Sequence, residues 1–251
     1  MGTLKPDIRD GIGHVELHRP EVRNAINLEM VGELSALLDD WAGRDEVRVV
    51  VLSGAGGKAF AGGADIAELR ERSHREAFFA INASLFQKLE DFPRPTIAAI
   101  DGFALGGGLE LALACDLRVA SKSARVGLPE TSLGIYPAAG GTWRLPRLVG
   151  LGRAKELVFT GRIVDADEAF ALGIFERLVD ADALSAARGL ASEIARNAPL
   201  ALQVAKVSLN ALAQGPRAGP LEQLGQALLF DSPDKRERMT AFLDKRTRGG
   251  R

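Results

Sequence analysis

The chain has 251 residues but only one cysteine, one tyrosine and three histidines. Each scarcity removes a class of chemistry. The single cysteine, Cys115, excludes an intrachain disulfide framework and fits a reducing compartment. It sits in an apolar helical run, where it reads as a buried, inert thiol rather than a nucleophile. His14, His18 and His74 all lie outside the glycine-rich stretches, so a Ser–His or Cys–His engine has no support. There is no GxSxG elbow and no HExxH pair. No third ligand stands at usable spacing from His14 and His18, so no metal site is expected. An excess of one charge is lacking too. Lysine plus arginine number 32 against 33 aspartate plus glutamate, so no global basic field exists and nucleic acid is not an expected partner. No stretch reaches the roughly 18 apolar residues of a membrane span. MGTLKPDIRDGIG does not read as a secretory signal, and TRGGR does not read as a peroxisomal tail. Cytoplasm is the expected location.

What is present is hydrophobic and glycine-rich sequence, long enough to bury a sizeable core. VRVVVLSG and TIAAI are near-continuous apolar runs and read as strands buried on both faces. GHVELH alternates, and reads as a half-buried strand with Val15 and Leu17 inside and both histidines toward solvent. LEMVGELSALLDDWAG reads as an amphipathic helix and GAGGKAFAGG as a loop. The run from Ala64 to Phe92 reads as helix, broken near Ser73 and His74; Phe78, Phe79 and Phe86 fit either a pocket lining or plain core packing. LRVAS and IFERLVD read as strands, and GTWRLPRLVG, LGRAKELVFTG, VDADEAFALG and DALSAARGLASEIAR as helices. The tail from Pro199 is almost wholly helical. This implies an α/β core over residues 1–195 and a helical region over 196–251.

Two glycine loops stand out. Ala61-Gly62-Gly63-Ala64 precedes a helix starting at Asp65, and Gly106-Gly107-Gly108 precedes a helix carrying Glu110. Each follows a buried strand. Unpaired N–H groups at a helix start, with the dipole behind them, suit a negative oxygen. Two such loops facing each other would form an oxyanion hole. The plainer reading is a pair of tight turns, with Glu110 merely complementing a helix dipole. Other motifs fail. Gly54-Ala-Gly56-Gly matches a dinucleotide fingerprint only loosely, because Gly62 and Gly63 interrupt the chain before a Rossmann helix can run. A phosphate P-loop fails because Ala59 follows Lys58.

KAFAGGADIAEL, RPTIAAIDGFALGGGLELALACDLRVAS and GLPETSLGIYPAAGGTWRLPRLVG resemble, in order, the three signature blocks of the enoyl-CoA hydratase/isomerase (crotonase) family. HRPEVRNAIN and MTAFLDKR resemble its opening loop and last helix. The resemblance covers almost the whole chain. It implies a spiral of ββα units with a C-terminal helical trimerisation region, assembled as homotrimers or homohexamers. It also implies an acyl-CoA thioester substrate, with CoA part of the substrate and no separate cofactor. By motif match, the N–H groups of Ala64 and Gly107 hold the thioester oxygen. Hydratases of the family use two glutamates, matched here by Glu110 in GGGLE and Glu130 in GLPE; family isomerases commonly keep only the second. The resemblance thus implies hydration of a 2-enoyl-CoA to a 3-hydroxyacyl-CoA, with Glu110 activating water and Glu130 protonating Cα. Double-bond isomerisation or another reaction of the family is the alternative within enzymes, and non-catalytic acyl-CoA binding the alternative outside them. Further substrate contacts are implied at Arg23, Ala25, Ala61, Asp65 and Ile66, and at Phe242 and Lys245 of the last helix. Tyr136 and Ala138 are implied substrate contacts too, with one departure: Ala138, two residues after Tyr136, replaces a family glycine, adding a methyl where a tight fit is expected.

Overall fold

The computed structural model describes residues 2–71 and 80–212, together with Glu237. Two strands open the chain, β1 (Leu4–Arg9) and β2 (Ile12–Leu17), paired antiparallel with Arg9 opposite Ile12. The two residues between them, Asp10 and Gly11, both have positive φ (51° and 80°). That is the requirement of the tight hairpin turn favoured by an Asp-Gly pair. The sequence reading missed β1, although Asp-Gly signals it.

β2 runs parallel to β3 (Val49–Gly54), so the chain must cross between them, and α1 (Leu28–Ala42) makes the crossing. Asn27 caps α1 by accepting from Met30 N at 3.0 Å. Met30, Val31, Leu34, Leu38 and Trp41 fall on one face at helical spacing and are buried.

Three rounds of one pattern follow. A longer apolar strand leads to a three-residue strand and then to helical structure. The first round is β3, β4 (Ala59–Ala61), α2 (Ile66–Glu71) and α3 (Ile81–Glu90). The second is β5 (Thr96–Ile100), β6 (Phe103–Leu105) and α4 (Gly107–Ala114). The third is β7 (Leu117–Ser121), β8 (Arg125–Gly127), a 3₁₀ turn at Pro129–Leu133, α5 (Gly141–Val149) and α6 (Leu151–Thr160). β9 (Val164–Asp165), α7 (Ala166–Ala171), β10 (Arg177–Val179) and α8 (Ala183–Ala195) complete the core. The longer strands enter a six-stranded sheet, β1-β2-β3-β5-β7-β10. The short ones enter a four-stranded sheet, β4-β6-β8-β9. Pairings are parallel except β1–β2 and β8–β9. This is the α/β ββα arrangement that the signature blocks imply.

Every residue of α4 is buried, which matches its uniformly apolar sequence, Glu110 excepted. The core gathers Leu17, Leu34, Leu52, Phe60, Phe86 and Leu109, so Phe86 is packing rather than pocket lining. The residues 54–63 are not all loop, because Ala59–Ala61 is strand. The segment from Val164 begins with β9 before its helix, whose N-cap is Asp165. His14 is only 9% exposed, not on a solvent face: Arg188 of α8 reaches its Nδ1 at 3.1 Å, and Nε2 lies 2.8 Å from Ser53 Oγ.

Contacts divide the chain into residues 1–194 and 195–251. The second unit contributes the described helix α9 (Pro199–Leu212). Phe78, Phe79, Phe242 and Lys245 lie outside the described residues, as does the proposed helix break at Ser73 and His74. No helix among the described residues is long and apolar enough to cross a membrane.

Candidate active site

β4, β6 and β8 are parallel neighbours in the small sheet. Parallel neighbours in register deliver their C-terminal loops side by side, which is where open α/β sheets place ligands. Three loops meet here: Gly62–Asp65 after β4, Gly106–Gly107 after β6, and Leu128–Glu130 after β8. Gly106 N donates to Gly127 O at 2.9 Å, tying the second loop to the third. A Cβ built on Gly107 would lie 3.3 Å from Ala64 N, so the first loop adjoins the second. Gly108 lets them approach: a Cβ there would stand 2.1 Å from Ala61 O.

The direction of the Ala64 N–H follows from its neighbours. Ile26 N donates to Gly63 O (2.8 Å), and Asp65 N donates to Ile26 O (2.9 Å). In such a parallel bridge the intervening residue turns its N–H the other way. Gly107 is the first residue of α4, so its N–H has no acceptor within the helix. Neither N–H has a hydrogen-bond acceptor among the described residues.

Both glutamates of the signature blocks are buried. Glu110 is 3% exposed, and its Oε1 accepts from Ala139 N (2.8 Å) and from Gly141 N (2.9 Å). Burial pushes its carboxyl above the usual range; the Gly141 and Ala139 N–H groups and the charge of Arg144 offset this only in part. Glu130, in the 3₁₀ turn, is 8% exposed, and its Oε2 has no hydrogen-bond partner among the described residues. Burial, and then the charge of Glu110, push it up to about 7 against the pull of its own backbone N–H. A buried, unsatisfied carboxyl oxygen costs stability and is a hallmark of functional sites.

The remaining predicted residues divide. Ala61 is buried in β4. Arg23 adopts a left-handed conformation (φ 55°), its carbonyl accepts from Gly62 N at 2.8 Å, and its guanidinium lies 5.6 Å from the Phe103 ring. The Ala25 carbonyl and Asp65 Oδ2 share Arg19 Nη1, at 2.7 and 3.1 Å. The opening loop is thereby pinned beside the Ala64 loop. Asp65 Oδ1 also accepts from Ala67 N at 3.1 Å, so this carboxylate is engaged at the start of α2. Ile66 and Tyr136 are exposed. Ala138 is exposed as well, so the expectation of a methyl forced into a tight place does not hold within this chain. The donors to Glu110 are Ala139 and Gly141, which the sequence reading passed over. The signal for them was a paired glycine at a helix start, the same signal read at Gly106–Gly108.

A family model described as enoyl-CoA hydratase/isomerase matches residues 7–249. The short-chain-enoyl-CoA hydratase of Clostridium acetobutylicum is 40% identical over 92% of this chain and 91% of its own length. The crotonyl-CoA hydratase of Syntrophomonas wolfei is 41% identical over 92% of this chain and 90% of its own. Among solved structures, the enoyl-CoA hydratase from Bacillus anthracis superposes with a TM-score of 0.93 at 37% identity, covering 97% of this chain and 96% of that one. With the three signature blocks meeting at one end of the small sheet, these matches show that the chain belongs to the enoyl-CoA hydratase/isomerase family.

Proposed function

We propose that this protein hydrates a 2-enoyl-CoA thioester to the 3-hydroxyacyl-CoA, with Glu110 as base, Glu130 as acid, and the N–H groups of Ala64 and Gly107 as the oxyanion hole. The carrying observation is the meeting of two buried carboxyls and two N–H groups without an acceptor among the described residues at the C-terminal end of β4, β6 and β8. Glu110 takes a proton from water as the oxygen bonds to Cβ. The π electrons move toward the thioester carbonyl, whose oxygen becomes negative between the two donors. Glu130 then releases its proton to Cα. Return of the proton from Glu110 to Glu130 restores the resting state. The addition is redox-neutral, and both proton transfers use carboxyls of the chain, so the reaction is written without a further cofactor.

The raised carboxyl of Glu130 fits the acid role, because an acid near neutrality keeps its proton until the substrate needs it. Since that group must be protonated, kcat/KM is expected to fall as pH rises past about 7, and Glu130→Gln to abolish this limb. Incubation with crotonyl-CoA, following loss of the enoyl thioester absorbance, tests the reading. No turnover with any short, medium or branched enoyl-CoA overturns it. We propose Arg23 and Ala25 as contacts of the nucleotide and pantetheine and Ala61, Asp65, Ile66, Tyr136 and Ala138 as further substrate contacts; by motif match alone, Phe242 and Lys245 are candidate contacts of the CoA nucleotide. A cytoplasmic homotrimer or homohexamer acting in fatty acid metabolism is the setting that fits.

A further inference from the structure

Ala139 is held from both sides. Its N–H donates to Glu110 Oε1, and its carbonyl accepts from Arg144 Nη1 at 3.0 Å. Arg144 lies in the first half of α5 and is 4% exposed. Its Nε and Nη2 reach Glu90 Oε2, at the end of α3, at 3.2 and 2.8 Å, and Nη2 also stands 3.5 Å from Gln87 Oε1. Gly140 makes room for it: the residue has φ 114°, and a Cβ there would sit 1.9 Å from Arg144 Nη1. A guanidinium this deeply buried, paired with a half-buried carboxylate, is seldom the most stable filling for a core, where apolar side chains often do as well or better. Its position calls for a reason other than packing.

We propose that Arg144 is a positioning residue for the hydration reaction: it clamps the Ala139 peptide so that the Ala139 and Gly141 N–H groups stay on Glu110, while Glu90 orients the guanidinium and moderates its charge. This rests on the hydratase reading above and deepens it. Among the described residues, the charged groups facing Glu110 are Glu130 from the 3₁₀ turn and Arg144 from α5. Behind Arg144 stand Glu90 of α3 and Arg147 of α5, whose Nη1 is 3.9 Å from Glu90 Oε1. The two partners therefore act with opposite sign. Without the guanidinium, Glu110 loses both a favourable charge and the hold on the Ala139–Gly140 peptide that lies between its two donors, so it ionises less readily. Without the charge of Glu90, Arg144 acts on Glu110 less compensated, so Glu110 ionises more readily. A glutamine at position 90 still accepts hydrogen bonds and keeps the guanidinium oriented.

The test is the pH profile of kcat/KM for crotonyl-CoA, with urea midpoints, in the wild type, Arg144→Gln, Arg144→Lys and Glu90→Gln. Arg144→Gln is expected to lower kcat by about 10²-fold, the scale of a misplaced catalytic group. KM should stay within a few-fold, and the acidic limb, which reports the free enzyme's base, should move up. Arg144→Lys should recover part of kcat, because an ammonium keeps the charge but not the fork. Glu90→Gln should move the acidic limb down. A purely structural role would lower the urea midpoints and leave both limbs in place, and that result overturns the proposal. If Arg144→Gln does not fold, the direction of the Glu90→Gln limb decides alone: unmoved or upward, the proposal fails. An inactive wild type removes the hydration reading and this proposal with it; an active wild type with unmoved limbs removes this proposal only.

Discussion

The two sheets spend their polar groups differently. In the large sheet, Val49 to Leu52 are fully buried, and the buried polar side chains beside them are paired. Ser53 meets His14, Thr96 meets Asp116 Oδ2 at 3.0 Å, and Arg118 donates to Glu176 and to the carbonyls of Ile174 and Cys115. The small sheet has strands of two or three residues, and at its C-terminal end the pairing is left unfinished. Among the described residues, Glu130 Oε2 is without a hydrogen-bond partner there, and the N–H groups of Ala64 and Gly107 have no acceptor. Pairing a buried polar group contributes about 1 kcal/mol, and leaving one unpaired costs about 1–3 kcal/mol. The large sheet supplies stability against which the small sheet can hold a candidate site short of hydrogen bonds among the described residues.

The sharpest way to break this division is to change one atom at the small sheet. Glu110→Gln keeps the shape and the ability to accept from Ala139 and Gly141, but removes the proposed base. It is expected to lower kcat by about 10²–10⁴-fold, with acyl-CoA affinity retained in calorimetry and the urea midpoint little changed. An unchanged rate would remove Glu110 from the chemistry. The converse change belongs to the large sheet. Leu52→Ala, at a fully buried position in β3, should cost about 2–5 kcal/mol of stability. The kcat of the folded fraction should stay within two- to three-fold. If kcat collapses in step with stability, the sheets are not separable in the way described.

The same contrast explains what could be read from the chain alone. VRVVVLSG and TIAAI announce buried strands because both faces of the large sheet are covered and apolar runs leave few other readings. The glycine loops were legible because a helix start after a buried strand has a chemical meaning wherever it occurs. β4 was not, because a three-residue strand inside a glycine-rich stretch makes no periodic signal. Ala139 and Arg144 were missed for another reason: their contacts with Glu110, Glu90 and Gln87 depend on α5 packing against α4 and α3, between residues 29 to 57 positions apart in the chain. Glu130 was legible only through its signature block, since a glutamate after a proline carries no local mark of burial.

His14 is the case where local pattern and tertiary packing disagree, and it yields the smallest effect. Alternation in GHVELH assigns it to a solvent face, but α8, far along the chain, covers that face. Arg188 can only donate, so Nδ1 is the acceptor and Nε2 carries the proton toward Ser53. Burial, and then the charge of Arg188, hold the imidazole below its ordinary 6.5, against weaker pulls from Glu16 and Asp7. The unfolded chain therefore takes up a proton at a higher pH than the folded one. The stability from neutral His14 is complete above about 6.5 and is lost as pH falls toward the folded value. The urea midpoint of the wild type should drop more between pH 7.5 and 5.5 than that of His14→Gln, which cannot titrate there. Equal drops would mean that the Arg188 contact does not discriminate between neutral and protonated imidazole, and that this face of the large sheet is less tightly paired than its geometry indicates.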